Sequence, residues 1–138
     1  MLLRLIKTKT FCGLNGPYLT VHTLLNLWFL KRPISICLHN FHRGDEDPDC
    51  HDHPFSYLSF ILIGSYREYA QDDTYITRKR FSLAYRRATH RHRVQPTTNR
   101  CWTLCIKRKT DRQWGFWQQE TFIPFKDYLR SKGFEEFV

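Results

Sequence analysis

Apolar and polar residues alternate in short runs along much of the chain, the period of two expected of strands that bury one face. Ile34 to Phe41 is rich in β-formers, Phe55 to Ile63 is aromatic and aliphatic, and Gly64-Ser65 reads as the turn that ends it. Tyr66 to Ala70, Thr74 to Phe81, His90 to Val94, Cys101 to Lys107 and Gln113 to Trp117 continue the series, with Gln71-Asp72-Asp73 as a hairpin turn. Many short strands at this spacing predict a barrel or a sandwich. Thr20 to Leu30 fits a helix or a strand equally. Asp127 to Lys132, stopped by Gly133, predicts a short C-terminal helix. The acidic stretch Asp45-Glu46-Asp47-Pro48-Asp49 is the clearest loop.

The length of 138 residues suits a single domain over 1–138, and 41% hydrophobic with 16% aromatic residues is enough apolar material for a core rich in rings. Neither a repeat nor a low-complexity linker interrupts it. The formal charge of +9 permits attraction to phosphates and other anions without specifying a fold. Its bland reading is a solvated basic surface, with partial clusters at Arg78 to Arg93 and Lys107 to Arg112. Five cysteines are present: Cys12, Cys37, Cys50, Cys101 and Cys105. The odd count and the absence of an apolar leader near Met1 imply free thiols in a reducing, cytoplasmic setting, with Cys101 and Cys105 as inert core thiols. No apolar run approaches the roughly 18 residues of a membrane helix, so no membrane role is expected.

Chemistry concentrates in Cys50-His51-Asp52-His53-Pro54 and His90-Arg91-His92. Residues i and i+2 of a strand share a face, so each His-x-His sets two imidazoles side by side. Two such strands lying close together would bring three or four ring nitrogens to one point, a donor set that suits Zn, Fe, Ni and Cu. Asp52 would point to the opposite face, as a turn or strand-edge cap. Cys50 would also face away from the metal. No phosphate-binding Gly-rich loop or dinucleotide turn is present.

His51-Asp52-His53, Gly64 after an apolar strand, Glu68, and His92-Arg93-Val94 together resemble a cupin. The likeness implies an all-β cupin double-stranded β-helix (jelly-roll) barrel with a short C-terminal helix. Cupins usually carry a Glu ligand after the His-x-His; counting back from Gly64 puts Tyr57 in that place. The thiol (cysteine) dioxygenases, whose motifs resemble His-Asp-His, Gly-x-x-x-Glu and His-Arg-Val, lack that Glu too. Over most of its length the chain resembles short cupin-like proteins of phages and bacteria, through Leu38-His39, His51-Asp52-His53-Pro54, Tyr66-Arg67-Glu68, His90-Arg91-His92-Arg93-Val94, Trp102-Thr103-Leu104 and Trp114-Gly115-Phe116. That likeness brings no substrate; for a phage-encoded chain the compartment would be the host cytoplasm.

By carry-over His51, His53 and His92 are the metal ligands, with Fe(II) preferred by analogy and Zn, Mn, Ni or Cu allowed by ligand chemistry. His90 is either a fourth ligand or a neighbour of the ligands. Glu68 is either a buried carboxylate orienting a histidine or an exposed partner of Arg67 or Arg78. Tyr57 is either a phenol beside the metal or plain core. Arg86 is a candidate clamp for a substrate anion, and Arg4 and Arg67 are weaker ones. His39 is either a lining of the barrel mouth or a satisfied core histidine. The reading that follows is a non-haem iron oxidoreductase, dioxygenase-like, acting on a small-molecule anionic or polar substrate. Its competitors are a non-catalytic cupin that binds an anionic metabolite, nucleotide or nucleic acid, and a structural metal staple. Cupin analogy adds a homodimer.

Overall fold

In the computed structural model, which describes residues 7–13, 15–45 and 48–133, twelve strands and one helix form two facing walls. The first wall is a six-stranded antiparallel sheet in the order β1-β2-β3-β10-β5-β8. Its strands are β1 (Lys7–Gly13), β2 (Gly16–Phe29), β3 (Arg32–Phe41), β5 (Phe55–Ile63), β8 (Leu83–Arg86) and β10 (Cys101–Lys109). The second wall consists of two three-stranded sheets. One runs β12-β11-β4, with β4 (Cys50–His51), β11 (Gly115–Gln118) and β12 (Thr121–Pro124). The other runs β7-β6-β9, with β6 (Tyr66–Tyr69), β7 (Tyr75–Arg78) and β9 (Arg93–Pro96). A single antiparallel bridge, His51 to His92, stitches these two sheets together. The architecture is the double-stranded β-helix expected from the sequence. Helix α1 (Phe125–Ser131) packs on β11 and β12, its buried Tyr128 stacked 3.9 Å from the Phe116 ring.

The stretch Thr20 to Leu30, ambiguous in sequence, is strand. It pairs with β3 from Leu19↔Phe41 to Phe29↔Arg32, with a bulge between Thr23 and Leu25. Ladder hydrogen bonds to a long β-rich neighbour override any helical preference. The turn between them places Leu30 and Lys31 at positive φ (49° and 60°), the geometry of tight hairpins, here without the usual Gly or Asn. The expected strand Thr74 to Phe81 is shorter. It ends at Arg78, and Phe81 adopts φ 68° in a turn that feeds the separate strand β8. Strands β1 and β12 and the two-residue β4 were not anticipated. Among the described residues no helix is long and apolar enough to cross a membrane.

The inner face changes character along its length. At one end Ile61, Tyr66, Val94 and Cys101 form an apolar cluster, with Phe41 packed against it. Going along β10 from Cys101, the inward positions become Thr103, Cys105 and Lys107, opposite Ile61, Ser59 and Tyr57 of β5. The barrel is thus closed by apolar packing at one end and lined by polar groups at the other. Five free thiols and no disulfide occur, with Cys101 and Cys105 buried as expected. On the outside of the large sheet, Leu83, Tyr85 and Ile106 stay exposed.

Gly64 turns the chain from β5 into β6 at φ +78°, and a Cβ there would collide with the Arg100 carbonyl and the Thr98 hydroxyl. Gly64→Ala is expected to destabilise the domain by about 2 kcal/mol, read as a lowered midpoint in urea at constant slope. A change under a few tenths would contradict this account of the turn.

Candidate metal centre

His51 and His92 are a hydrogen-bonded antiparallel pair: each backbone N–H donates to the other's carbonyl, at 2.9 and 3.0 Å. Directly opposed residues present their side chains on the same face, so the bridge that joins the two small sheets also brings two imidazoles together. His53, two residues on from His51, completes the set. Its backbone N–H donates to the Ala88 carbonyl at 3.0 Å. The three ring centroids form a near-equilateral triangle with sides of 4.9, 5.1 and 4.9 Å. One ligand nitrogen from each ring lies within 4.8 Å of the others.

Asp52 lies between His51 and His53 and faces the other way, as alternation requires, yet it is fully buried rather than capping an edge. It accepts hydrogen bonds from Arg112 Nη2 (3.0 Å), the Gly115 backbone N–H (2.9 Å) and Trp117 Nε1 (3.0 Å). Arg112 Nη1 also donates to the carbonyls of His53 and Ala88. This lock fixes the backbone that carries His51 and His53. Sequence reading did not find Arg112 or Trp117, whose roles depend on contacts about sixty residues away in the chain. Asp45 also went unnoticed; its carboxylate accepts from the Val94 backbone N–H at 2.6 Å and lies 3.8 Å from His51 Nδ1.

Glu68 is buried in the wall behind His92. It accepts from His92 Nδ1 at 2.7 Å, His90 Nε2 at 3.1 Å and Arg78 Nε at 3.0 Å, and forms a two-pronged pair with Arg86. Burial alone would raise its pKa, but hydrogen bonds from His90, His92 and Arg86 outweigh that and hold the carboxyl far below the usual range. An ionised Glu68 holding Nδ1–H leaves Nε2 of His92 as the nitrogen that could ligate a metal, the arrangement by which carboxylates orient metal-binding histidines. Arg86 is therefore no free clamp for a substrate anion: the carboxylate it grips is internal. Arg67 lies over the Tyr75 ring, on the outside, and Arg4 lies outside the described residues.

His90 is not part of the three-histidine group. It precedes β9 in a turn, with its N–H donating to the Arg87 carbonyl at 2.9 Å, so the face-sharing of an ideal strand does not apply. Glu68, His90 and His92 do form a second cluster of potential donors. Two guanidiniums already neutralise that carboxylate, which disfavours a cation there.

The Tyr57 hydroxyl stands 3.4 Å from His92 Nε2, and its ring packs 5.0 Å from that of His53. Burial pushes its pKa well above the ordinary value, so it is a neutral phenol. The phenol is thus a proton donor at the edge of the histidine cluster. Cys50 faces away, its thiol directed at the Tyr69 carbonyl and its pKa pushed by burial to about 11.

The residues fit a metal ion. Burial, followed by the neighbouring His51 and His92, lowers the His53 pKa well below 6.5. Burial also lowers His92 to about 4 despite its bond to Glu68. Both are neutral imidazoles at pH 7, the form that ligates. His53 Nδ1 is a buried nitrogen with no hydrogen-bond partner. A facial set of three imidazoles without the carboxylate leaves room for further ligands.

No protein-family model matches the chain, and neither does any curated protein sequence. Solved structures do. An RmlC-like cupin protein of Ralstonia eutropha matches 91% of this chain and 78% of its own at 16% identity, with a TM-score of 0.58. A cupin-2 domain of Rhodospirillum rubrum matches 94% and 83% at 10% identity, with a TM-score of 0.59. The Fe(II) form of HppE matches 78% of this chain at 9% identity, with a TM-score of 0.60; the present chain spans 60% of its length. At these identities the likeness establishes the fold: this chain is folded as a cupin barrel.

Glu68→Gln is expected to weaken metal binding 10- to 100-fold and to cost about 3 kcal/mol by stranding Arg86. In the double variant Glu68→Gln, Arg86→Met most of the stability should return while metal affinity stays low, as read by urea unfolding and competitive metal titration. Recovery of both would contradict the orienting role. His39, which burial and then Lys107 hold neutral well below 6.5, is protonated more readily in the unfolded chain. Stability should therefore fall as pH drops below about 6.5, and less steeply in His39→Leu, as followed by melting temperature against pH.

Proposed function

We propose that this chain is a mononuclear metal cupin that holds iron(II) on His51, His53 and His92 and oxidises a small polar or anionic substrate with O₂. The observation that carries the reading is the near-equilateral imidazole triangle, with His92 Nδ1 donated to an ionised Glu68. Held by these three imidazoles, iron(II) would supply redox chemistry and room for further ligands. The remaining work falls to the chain's own groups. Glu68 holds the His92 ring and its tautomer. The Asp52–Arg112 lock keeps His51 and His53 from rotating apart, so the centre is preorganised. Tyr57 holds a proton within reach of whatever occupies the centre, as a general acid would. Phe55, Trp114 and Phe116 wall the histidines with rings and limit water around them. HppE in its Fe(II) form has a barrel of the same fold, which supports iron as the first choice.

A second reading, capture of a nucleotide or nucleic acid without turnover, draws on a groove lined by Tyr69, Tyr75, Arg78, His90 and Arg91. Aromatic faces beside guanidiniums suit a phosphate-bearing ligand with a base. Saturable binding of a defined RNA by metal-free protein would favour it.

Protein purified without oxygen should carry close to one equivalent of iron by elemental analysis, lost in His51→Ala, His53→Ala, His92→Ala. The iron form should consume O₂ with at least one member of a panel of small thiols and hydroxy acids. Stoichiometric zinc without O₂ consumption would redirect the reading to hydrolysis, isomerisation or a structural site. No metal after reconstitution would end it.

A further inference from the structure

Lys107 is a half-buried cation with no carboxylate partner among the described residues. It lies on the inward face of β10, directly opposite Tyr57 of β5, and its ammonium sits 4.6 Å from the centroid of the Phe55 ring. The same ring packs 5.4 Å from His53, so Lys107 and the metal centre flank one aromatic side chain. Burial lowers the lysine's pKa, and the thiols Cys37 and Cys105 oppose that shift. Burial raises the Cys105 thiol, which is therefore uncharged at neutral pH. Among the described residues no carboxylate compensates the ammonium, whereas Arg86, the other inward cation, is fully matched by Glu68. A partly desolvated charge left unmatched costs stability, which makes Lys107 a candidate for a functional role.

A second observation lies on the same inner face. His39, inward on β3 and two positions from Cys37, has a buried Nε2 with no hydrogen-bond partner. The charge of Lys107 reaches both His39 and His53. The interior between the histidine triangle and Lys107 thus combines an unmatched cation, an unpartnered imidazole nitrogen and the Tyr57 phenol.

Resting on the metal-centre reading, we propose that Lys107 is the anion anchor of this site, and that the substrate is a small acid. Its carboxylate or phosphate group pairs with the Lys107 ammonium. A hydroxyl, oxo or thiol donor elsewhere on the molecule reaches the His51–His53–His92 centre. Lys107 thereby takes the place that the sequence had offered to Arg86. It acts on binding and orientation, with no covalent step of its own.

The test is calorimetric titration of wild type, Lys107→Met and Lys107→Arg, each metal-free and loaded with Co(II). The probes are glycolate, 3-hydroxypropionate and inorganic phosphate, with neutral glycolamide as control. Wild type should bind at least one anion saturably and glycolamide not at all, and the preferred anion distinguishes carboxylate from phosphate. Lys107→Met should weaken that binding about tenfold or more, while Lys107→Arg retains part of it. Lys107→Met should also melt at the same temperature as wild type or higher, which a merely structural lysine would not allow. Absence of saturable anion binding, equal binding by Lys107→Met, or a lowered melting temperature in that variant would overturn the proposal. Lys107-dependent anion binding without Co(II) binding would sink the metal-centre reading alone. Co(II) binding without Lys107-dependent anion binding would sink this one alone.

Discussion

The backbone pair between His51 and His92 joins β4 to β9 and so closes the second wall of the barrel from two separate three-stranded sheets. Because opposed residues of an antiparallel pair face the same way, the hydrogen bonds that complete the fold also set two imidazoles side by side. His53 follows by the alternation of extended chain. The candidate centre is therefore a product of the topology and not an ornament on a loop, and rigid sheet on either side limits how far the rings can move.

Around that seam the charges are distributed unequally. Glu68 gathers four donors, of which Arg86 balances its charge and His92 links it to the centre. Asp52 gathers three donors on the far side of the segment that carries His51 and His53. Both carboxylates are buried and saturated, so their cost is met by hydrogen bonds. Lys107, His39 and Nδ1 of His53 are not satisfied in that way among the described residues. The barrel thus separates an apolar end that contributes stability from a polar end whose groups are not all satisfied by the protein itself.

Much of this was legible in the chain. The period-two pattern of Phe55 to Ile63 and Cys101 to Lys107 reports strands buried on one face, and the two His-x-His spacings report a cluster. What sequence could not carry was pairing. Thr20 to Leu30 stayed ambiguous because only its register with β3 decides it. Strand β1, built on alternating Lys and Thr, has little apolar signal because it is a sheet edge. His90 looked equivalent to His92 because spacing assumes an extended chain, whereas a turn at Arg87 redirects it. Arg86 looked like a free clamp because its partner Glu68 comes from another sheet. Lys107 looked like one of a surface group of cations, and only its position opposite Tyr57 shows that it faces inward.

The central claim is that three imidazoles meet at one metal ion. X-ray absorption at the metal edge, on protein loaded with one equivalent of iron(II) or Co(II), tests it most directly. The expected result is a shell with three imidazole nitrogens at about 2.1 Å, outer-ring scattering from those rings, and no sulfur. A shell with sulfur, or with one histidine or none, would contradict it.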